Sequence, residues 1–291
     1  MNNPSLSLAL PGREQDHRIG ALFVDRGMLT LADAERVLHR QHERGIRFGE
    51  AAMELGLVTP EQMHEVLASQ FDFPVLSARE ARVSREVVAA FSPDSPAAEA
   101  LRALRSQLML RWFNGDPQHK ALAIVSPGSG DGRTYLAANL AVMLSQLGER
   151  VMIVDADLRK PRLHEMFGVA NVTGLSSLLA GLAQAPIPQT VAGLDRLSVL
   201  TAGPIPPNPQ ELLAGPALAR LIAQVRDDFD AIILDTSPGV AFADADAVCR
   251  TAGAALMVVR SHATRLAEAK TLATRLRDGR IEVVGSVMAE H

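Results

Sequence analysis

Short apolar runs alternate with amphipathic stretches along the last two-thirds of the chain. The apolar runs lie at 121–125, 150–154, 197–200, 231–235, 255–259 and 281–287, and helical periodicity marks 98–113, 134–147, 174–181, 216–227, 244–252 and 264–278. Continuous apolar strands that alternate with helices are typical of a mostly parallel sheet with helices on both faces. The pattern therefore predicts an α/β domain over 98–291.

The N-terminal quarter has helical periodicity and an internal repeat. Residues 18–41 align without gaps on 47–70, and the identical pairs are Arg18/Arg47, Gly20/Gly49, Gly27/Gly56, Thr30/Thr59, Val37/Val66, Leu38/Leu67 and Gln41/Gln70. In each copy a glycine ends a short helix and a threonine caps the next one. The pattern predicts a small all-α domain over 16–75, with a disordered lead-in at 1–15 and a linker at 76–97.

Composition narrows the class of function. The chain has 291 residues, a formal net charge of −4, one Trp and one Tyr, so it lacks the basic surplus and the aromatic platforms of nucleic-acid-binding proteins. Its single cysteine, Cys249, fits a reducing compartment. No run reaches the ~18 apolar residues of a membrane span, and the first residues do not resemble a signal peptide. We therefore expect a cytoplasmic protein that binds no nucleic acid.

A glycine-rich stretch, SPGSGDGRT, lies at 126–134 between an apolar run and a predicted helix. This is the context of a phosphate-binding loop, G-x-x-x-x-G-K-[ST], whose backbone N–H groups hold phosphate at a helix N-terminus. Pro127 and Arg133 depart from that template, whereas Thr134 stands where the Mg²⁺-binding hydroxyl belongs. The alternative is a glycine-rich turn with no ligand. The predicted nucleotide contacts are Gly128, Gly130, Asp131, Gly132, Arg133, Thr134 and Tyr135.

Three aspartates follow two of the apolar runs. Asp155 and Asp157 come at the end of VMIVDAD, and Asp235 ends AIILD. The carboxyl ends of parallel strands meet at the edge where α/β sheets bind ligands. Carboxylate and hydroxyl oxygens suit Mg²⁺. We therefore predict that these acids and Thr134 gather around a magnesium–nucleotide complex.

Taken together, these motifs resemble the bacterial tyrosine kinases (BY-kinases) of polysaccharide export, a branch of the MinD/ParA-like P-loop ATPases. The stretch VDADLRKPRLHEMFG resembles the D-x-D-x-R motif of the family, PPNPQELL at 206–213 resembles its signature between that motif and Walker B, and DTSPGVAFADA resembles its Walker B region. Within the family the chain is most similar to the EpsG branch of chain-length-determinant kinases, which also carry G-R-[ST] in the loop. The resemblance covers about residues 95–291.

The resemblance implies a protein-tyrosine kinase that uses ATP and Mg²⁺. It implies that Asp155 accepts the proton of the substrate tyrosine, that Asp157, Asp235 and Thr134 serve the metal, and that Arg133 replaces the phosphate lysine. It also implies a membrane-embedded polysaccharide co-polymerase as partner, which would place the protein peripherally at the inner membrane.

The 98–113 helix carries an E-x-x-R-x-x-R pattern at Glu99, Arg102 and Arg105. In the family this pattern drives assembly, so the resemblance implies a homo-oligomer formed through this helix. The alternative is a solvated helix face with an i,i+3 salt bridge.

The N-terminal repeat separately resembles the MshEN domains of secretion ATPases, in which paired segments of this kind clasp cyclic di-GMP. That resemblance implies a nucleotide-binding role for Arg18, Gly20, Gly27, Arg47, Gly49 and Gly56. The alternative is a helical module that docks another protein.

Three functions stay open on the sequence. The first is a tyrosine kinase, the second a catalytically weak ATPase switch in the export machinery, and the third a positioning ATPase. Gly128 counts against the third, since that class carries a signature lysine early in the loop. The chain ends GSVMAEH without a tyrosine, and Tyr135 is expected to be packed, so a kinase would act on a tyrosine of another protein.

Overall fold

A computed structural model describes residues 19–60, 62–63, 66, 75–76, 82–186 and 188–290. The chain divides into two compact units between Val75 and Leu76, and each is described by itself. The predicted lead-in at 1–15 and the predicted ligand contact Arg18 lie outside the described residues.

The described part of the smaller unit is all helical, as predicted. It contains α1 at 19–25, α2 at Leu31–Arg44, α3 at Phe48–Glu54, and helical residues at 60, 62–63 and 66, which we call α4. Thr30 caps α2, since its Oγ1 accepts a hydrogen bond of 3.1 Å from the Asp33 N–H. Phe23 and Phe48 are fully buried and stack with their ring centroids 6.4 Å apart. Their contact holds α1 against α3.

The larger unit is built on a seven-stranded sheet with the order β3-β4-β2-β5-β1-β6-β7. The strands are β1 Ala121–Val125, β2 Val151–Asp155, β3 Gln189–Val191, β4 Leu194–Leu200, β5 Ala231–Asp235, β6 Ala254–Arg260 and β7 Glu282–Ala289. All neighbours are parallel except β3 and β4. The six predicted strands are therefore present, and the antiparallel edge strand β3 is an addition that the apolar runs did not reveal.

Helices cover both faces of this sheet. They are α5 Val88–Phe91, α6 Pro96–Arg111, α7 Arg133–Ser145, α8 Leu163–Phe167, α9 Leu175–Leu179, α10 Pro209–Ala214, α11 Pro216–Val225, α12 Asp244–Ala252 and α13 Leu266–Asp278. Successive residues of each strand point to opposite faces. Leu122 and Ile124 accordingly belong to one buried cluster, and Ala121 and Ala123 belong to another. The predicted layers are confirmed.

The segment predicted as a linker is part of the larger unit. Val87, Ala89 and Ala90 are fully buried in its core, and α5 packs on α7 through the buried Asn139. The Asn139 Oδ1 accepts a hydrogen bond from the Ala89 N–H at 2.9 Å, and its Nδ2 donates to the Glu86 carbonyl at 3.0 Å. Pro93 precedes α6, Ser95 caps this helix, and Pro96 is its first residue.

We predict that Asn139→Ala destabilises the packing of residues 84–90 on α7. The substitution leaves a buried N–H and a carbonyl without partners, which costs about 1–3 kcal/mol of unfolding free energy per group. Urea denaturation should show the loss, and hydrogen exchange should rise most over 84–90. Asn208→Ala is the matched control, because the Asn208 side chain makes no capping bond at α10. An unchanged exchange rate at Ala89 would contradict the assignment.

Candidate functional site

The glycine-rich loop runs from the end of β1 to the start of α7. Gly130 and Gly132 have φ of +80° and +99°, which favours glycine at both positions. Asp131 is buried and holds the loop in shape, because its Oδ2 accepts from the Gly128 N–H at 2.6 Å and its Oδ1 from the Thr264 hydroxyl at 2.8 Å. Asp131 was predicted to contact the nucleotide, but both of its carboxylate oxygens accept hydrogen bonds from the protein.

Arg133 lies beneath the loop and is 7% exposed. Its Nε donates to the Thr236 carbonyl at 2.8 Å, and its Nη1 donates to the Gly128 carbonyl at 2.7 Å and to the Ser126 hydroxyl. Its Nη2 is 3.9 Å from Asp157 Oδ2. The guanidinium therefore ties the loop to the end of β5. In this conformation the backbone N–H groups at the start of α7 would be left to meet the charge of a bound phosphate.

Asp155 and Asp235 lie side by side on the neighbouring parallel strands β2 and β5. The Asp155 Oδ2 accepts hydrogen bonds from the backbone N–H groups of Arg162 at 3.1 Å and Leu163 at 3.0 Å. Its Oδ1 and both oxygens of Asp235 accept none within the described residues. One carboxyl thus caps α8, and the other is buried without a hydrogen bond.

Burial shifts both acids toward their neutral forms. It raises the pKa of Asp155 well above its usual value, and the negative charge of Asp235 raises it further. Burial raises the pKa of Asp235 to about 7, although the Arg133 charge and the nearby Thr134 hydroxyl lower it. A cation placed against Asp235 would favour its ionised form.

Two of the residues predicted to bind magnesium, Asp235 and Thr134, lie close together. The described residues contain no group of three or more His, Cys, Asp or Glu side chains arranged to hold a metal by themselves. Mg²⁺ commonly takes one or two carboxylates and completes its shell with phosphates and water. The orphaned oxygens of Asp235, near the Thr134 hydroxyl, suit that arrangement. Asp157 has fewer oxygens available to a metal ion than Asp235, because its Oδ1 accepts hydrogen bonds from the N–H groups of Arg159 at 3.2 Å and Lys160 at 3.0 Å.

A cavity of about 830 Å³ opens over the loop. Its lining includes the predicted contacts Gly128, Gly130, Gly132, Arg133, Thr134 and Tyr135, together with Asp157. Tyr135 is half-buried, and its burial and the charge of Glu86 raise its pKa. The phenol therefore stays protonated. Most of the predicted nucleotide residues are brought together in one place.

The sequence did not reveal two ion pairs at this cavity. Glu86 arrives from the segment taken for a linker and pairs with Arg162 at 2.8 Å. Arg159 pairs with the buried Asp244 at 2.6 Å and lies 4.0 Å over the Phe242 ring. The proximity of the D-x-D-x-R segment to Asp244 depends on the β2–β5 pairing, which no local pattern encodes.

The E-x-x-R-x-x-R residues lie on α6 and do not line this cavity. Arg102 pairs with Glu99 at 2.7 Å and donates to the Pro93 carbonyl at 2.6 Å. Arg105 donates to the Met143 carbonyl at 3.2 Å. Both arginines thus contact their own unit, and the i,i+3 salt bridge considered on the sequence is present.

In the smaller unit the repeated glycines either allow close packing of side chains or adopt positive φ. A Cβ at Gly20 would meet the Phe48 ring at 3.2 Å, and one at Gly49 would meet the Met63 Cε at 2.6 Å. Gly27 and Gly56 have φ of +64° and +65° and face open space. Arg47 precedes α3, and its N–H donates to Glu50 at 3.1 Å.

Comparisons with known proteins agree with this geometry. A family model described as ParA, a NUBPL iron-transfer P-loop NTPase, matches residues 118–289. The tyrosine-protein kinase YwqD of Bacillus subtilis (strain 168) is 35% identical over 212 residues, covering 72% of this chain and 88% of YwqD. The tyrosine-protein kinase Wzc of Salmonella typhi is 35% identical over 206 residues, covering 70% of this chain but 28% of Wzc.

The solved kinase domain of the Escherichia coli tyrosine kinase ETK superposes with a TM-score of 0.66 at 31% identity, covering 70% of this chain and 79% of that domain. These matches confirm the predicted P-loop NTPase fold. The chain spans most of YwqD and less than a third of Wzc. No helix within the described residues is both long and apolar enough to pass through a membrane.

We predict that Asp235 makes the metal-free protein less stable as pH rises. Its pKa of about 7 in the folded state exceeds the unfolded value of about 3.9, so the folded state binds more protons between pH 4 and pH 7. The unfolding free energy should fall across that range, by up to roughly 4 kcal/mol from this group. Asp235→Asn should flatten the fall, measured by urea denaturation in EDTA.

Asp230→Asn is the matched control. Hydrogen bonding to Arg150 lowers the pKa of Asp230, so its stabilisation is present above the unfolded pKa and is lost as pH falls. The two variants should therefore move the pH profile in opposite directions. Equal profiles for wild type and Asp235→Asn would show that Asp235 is ionised in the metal-free protein.

Proposed function

The chain belongs to the bacterial tyrosine kinases with a ParA-type P-loop NTPase domain, and on that premise we propose that it transfers the γ-phosphoryl group of Mg·ATP to protein tyrosine. The bond between the γ-phosphorus and its bridging oxygen breaks, a bond to the phenolic oxygen forms, and ADP leaves. The observation that carries the proposal is the buried Asp235 carboxyl, without a hydrogen bond, beside Thr134 at the start of α7.

Each residue has a place in this scheme. The backbone N–H groups at the start of α7 would hold the phosphates, Thr134 and Asp235 would bind Mg²⁺, and Asp157 would support the metal. In its ionised form, Asp155 would take the phenolic proton on Oδ1, the oxygen that accepts no hydrogen bond. When bound, the metal ion neutralises charge on the phosphates.

We place the reaction in the control of exopolysaccharide chain length and export, from the resemblance to kinases of that system. The partner would be a membrane polysaccharide co-polymerase, which would bring the protein to the cytoplasmic face of the inner membrane. Homo-oligomers would form through α6, where the Glu99 side chain is 72% exposed and is therefore accessible to a second copy.

The second candidate is a catalytically weak ATPase switch, and the hydrogen bonds of Arg133 favour it. Three of the donors of this side chain are bound to the protein, and a guanidinium does not fit the slot of a lysine ammonium. Nucleotide binding would persist through the backbone, whereas the transition state would lose a mobile positive charge.

For the smaller unit we propose binding of cyclic di-GMP as a regulatory signal. The open faces of Gly27 and Gly56 permit close approach of a ligand to the backbone, and Arg47 can stack on a guanine or pair with a phosphate. Gly20 and Gly49 contribute by allowing helices to pack closely. Arg18 would be the counterpart of Arg47 in the first copy.

We predict phosphotyrosine on a co-polymerase tail incubated with the protein and labelled ATP. Asp235→Asn and Thr134→Ala should each lower the rate at least about 100-fold, because both remove metal ligands. Asp230→Asn is the control for the first, since it changes the same group at a distant ion pair. Arg133→Lys should raise the rate about tenfold or more, because it restores a mobile ammonium.

The same experiment separates the two candidate functions. Phosphotyrosine that depends on Asp235 supports the kinase. Magnesium-dependent ATP binding in a thermal-shift assay, with no phosphotyrosine on any partner, supports the switch. Absence of ATP binding would contradict both.

We predict that calorimetry of the full chain with cyclic di-GMP gives a saturable heat. Arg47→Ala should weaken binding about tenfold, because a charge-assisted contact to phosphate is lost. Arg36→Ala is the control, since Arg36 is an exposed arginine of α2 that is not among the positions identical in the two copies. Absence of heat with the wild-type chain would remove this role.

A further inference from the structure

The mouth of the loop cavity is lined by residues of two chemical kinds. Lys160 and Arg162, which follow β2, are basic, and Val240, Ala241 and Phe242, which follow β5, are apolar. Val240 is 42% exposed and Phe242 is 37% exposed. Basic and apolar side chains therefore line the same opening.

Of the cations that line this opening, one takes part in no ion pair with the described residues. Arg133 faces Asp157, Arg159 pairs with Asp244 and Arg162 pairs with Glu86. Among the residues that the structure describes, Lys160 takes part in no ion pair, and it is exposed at the rim. Of the acids at the rim, Glu86 is neutralised by Arg162 and Glu268 lies 3.4 Å from Arg265.

This local charge is opposite to that of the whole chain. The protein has a formal net charge of −4, which disfavours acidic polypeptides at most of its surface. Asp157, which lines the cavity, would also repel them. Lys160 at the rim offsets that repulsion where an extended acceptor would enter.

From this arrangement we propose that the acceptor is a tyrosine flanked by acidic residues. The tyrosine ring would pack on Val240 and Phe242, and the acidic neighbours would pair with Lys160 and, after exchange of partners, with Arg162. This inference rests on the proposed kinase function and specifies its substrate class. Lys160 is then a specificity residue for the acceptor, separate from the phosphate-binding loop.

The test compares three peptides with one tyrosine each, flanked by Glu, by Gln or by Lys. With saturating Mg·ATP, the KM should be lowest for the Glu peptide and should rise with salt. Lys160→Gln should raise that KM about 3-fold and Lys160→Glu about 10-fold, with kcat and the KM for ATP changed less than about 2-fold. Lys270→Glu is the matched control, because Lys270 is an exposed lysine of α13 that does not line the cavity.

A second variant, Glu86→Gln, should change the KM for the Glu peptide in the opposite direction. Glu86→Gln removes the partner of Arg162 and should lower the KM for the Glu peptide about 2- to 3-fold. The Glu86 carbonyl, which accepts from Asn139, is unaffected by this change. Equal KM values for the three peptides would overturn the proposal. So would a Lys160 effect confined to the KM for ATP, which would assign this cation to the nucleotide.

Binding without transfer separates this inference from the proposed function. Fluorescence anisotropy with a labelled Glu-flanked phenylalanine peptide should show binding that weakens in Lys160→Glu. Such binding without phosphorylation of any peptide would contradict the kinase and leave the docking site in place. Phosphorylation that is indifferent to flanking charge would support the kinase and refute the docking site.

Discussion

The parallel pairing of β5 with both β1 and β2 determines where chemistry can occur in this protein. Asp235 is in register with Ile124 on one side and with Asp155 on the other. Because the carboxyl ends of parallel strands meet at one edge, the loop after β1 and the acids after β2 and β5 must share that edge. A slip of one residue would turn Asp235 to the opposite face of the sheet. The buried apolar residues of all three strands therefore hold the site in register.

That placement puts two carboxyl groups where water is excluded, which opposes folding. Burial of an ionised carboxylate without a partner costs several kcal/mol, so both groups shift toward the neutral form. Asp155 recovers part of the cost by capping α8, and the Arg133 charge and the Thr134 hydroxyl offset part of it for Asp235. A group that destabilises the metal-free protein and is retained in a well-packed sheet is typical of a functional site. A bound divalent cation would reverse the sign of its contribution.

The strands that position the site were predictable because each is buried along its whole length. Continuous apolar runs such as ALAIV and AIILD have no other stable place than a sheet covered on both faces. The strand β3 was not predictable, since its three residues lie at the edge and include the exposed Thr190. Sequence therefore indicated the central strands better than the edge.

The part of the site that escaped prediction depends on contacts between distant segments. The prolines at 93 and 96 suggested a linker, yet the burial of Ala89 depends on Asn139, fifty residues further on. Asp131 was expected to face a ligand because it lies in the loop. Its hydrogen bond from Thr264 comes from the connection after β6, which no local motif reveals.

Arg133 shows how one substitution can separate binding from catalysis. The guanidinium is planar and offers several donors at fixed angles, and in this protein they reach the Gly128 and Thr236 carbonyls at the same time. To contact a phosphate, the side chain must give up these buried hydrogen bonds, each of which contributes about 1 kcal/mol or more. The backbone N–H groups of the loop require no such exchange. Phosphate binding can therefore be strong while the side-chain contribution to the transition state is small.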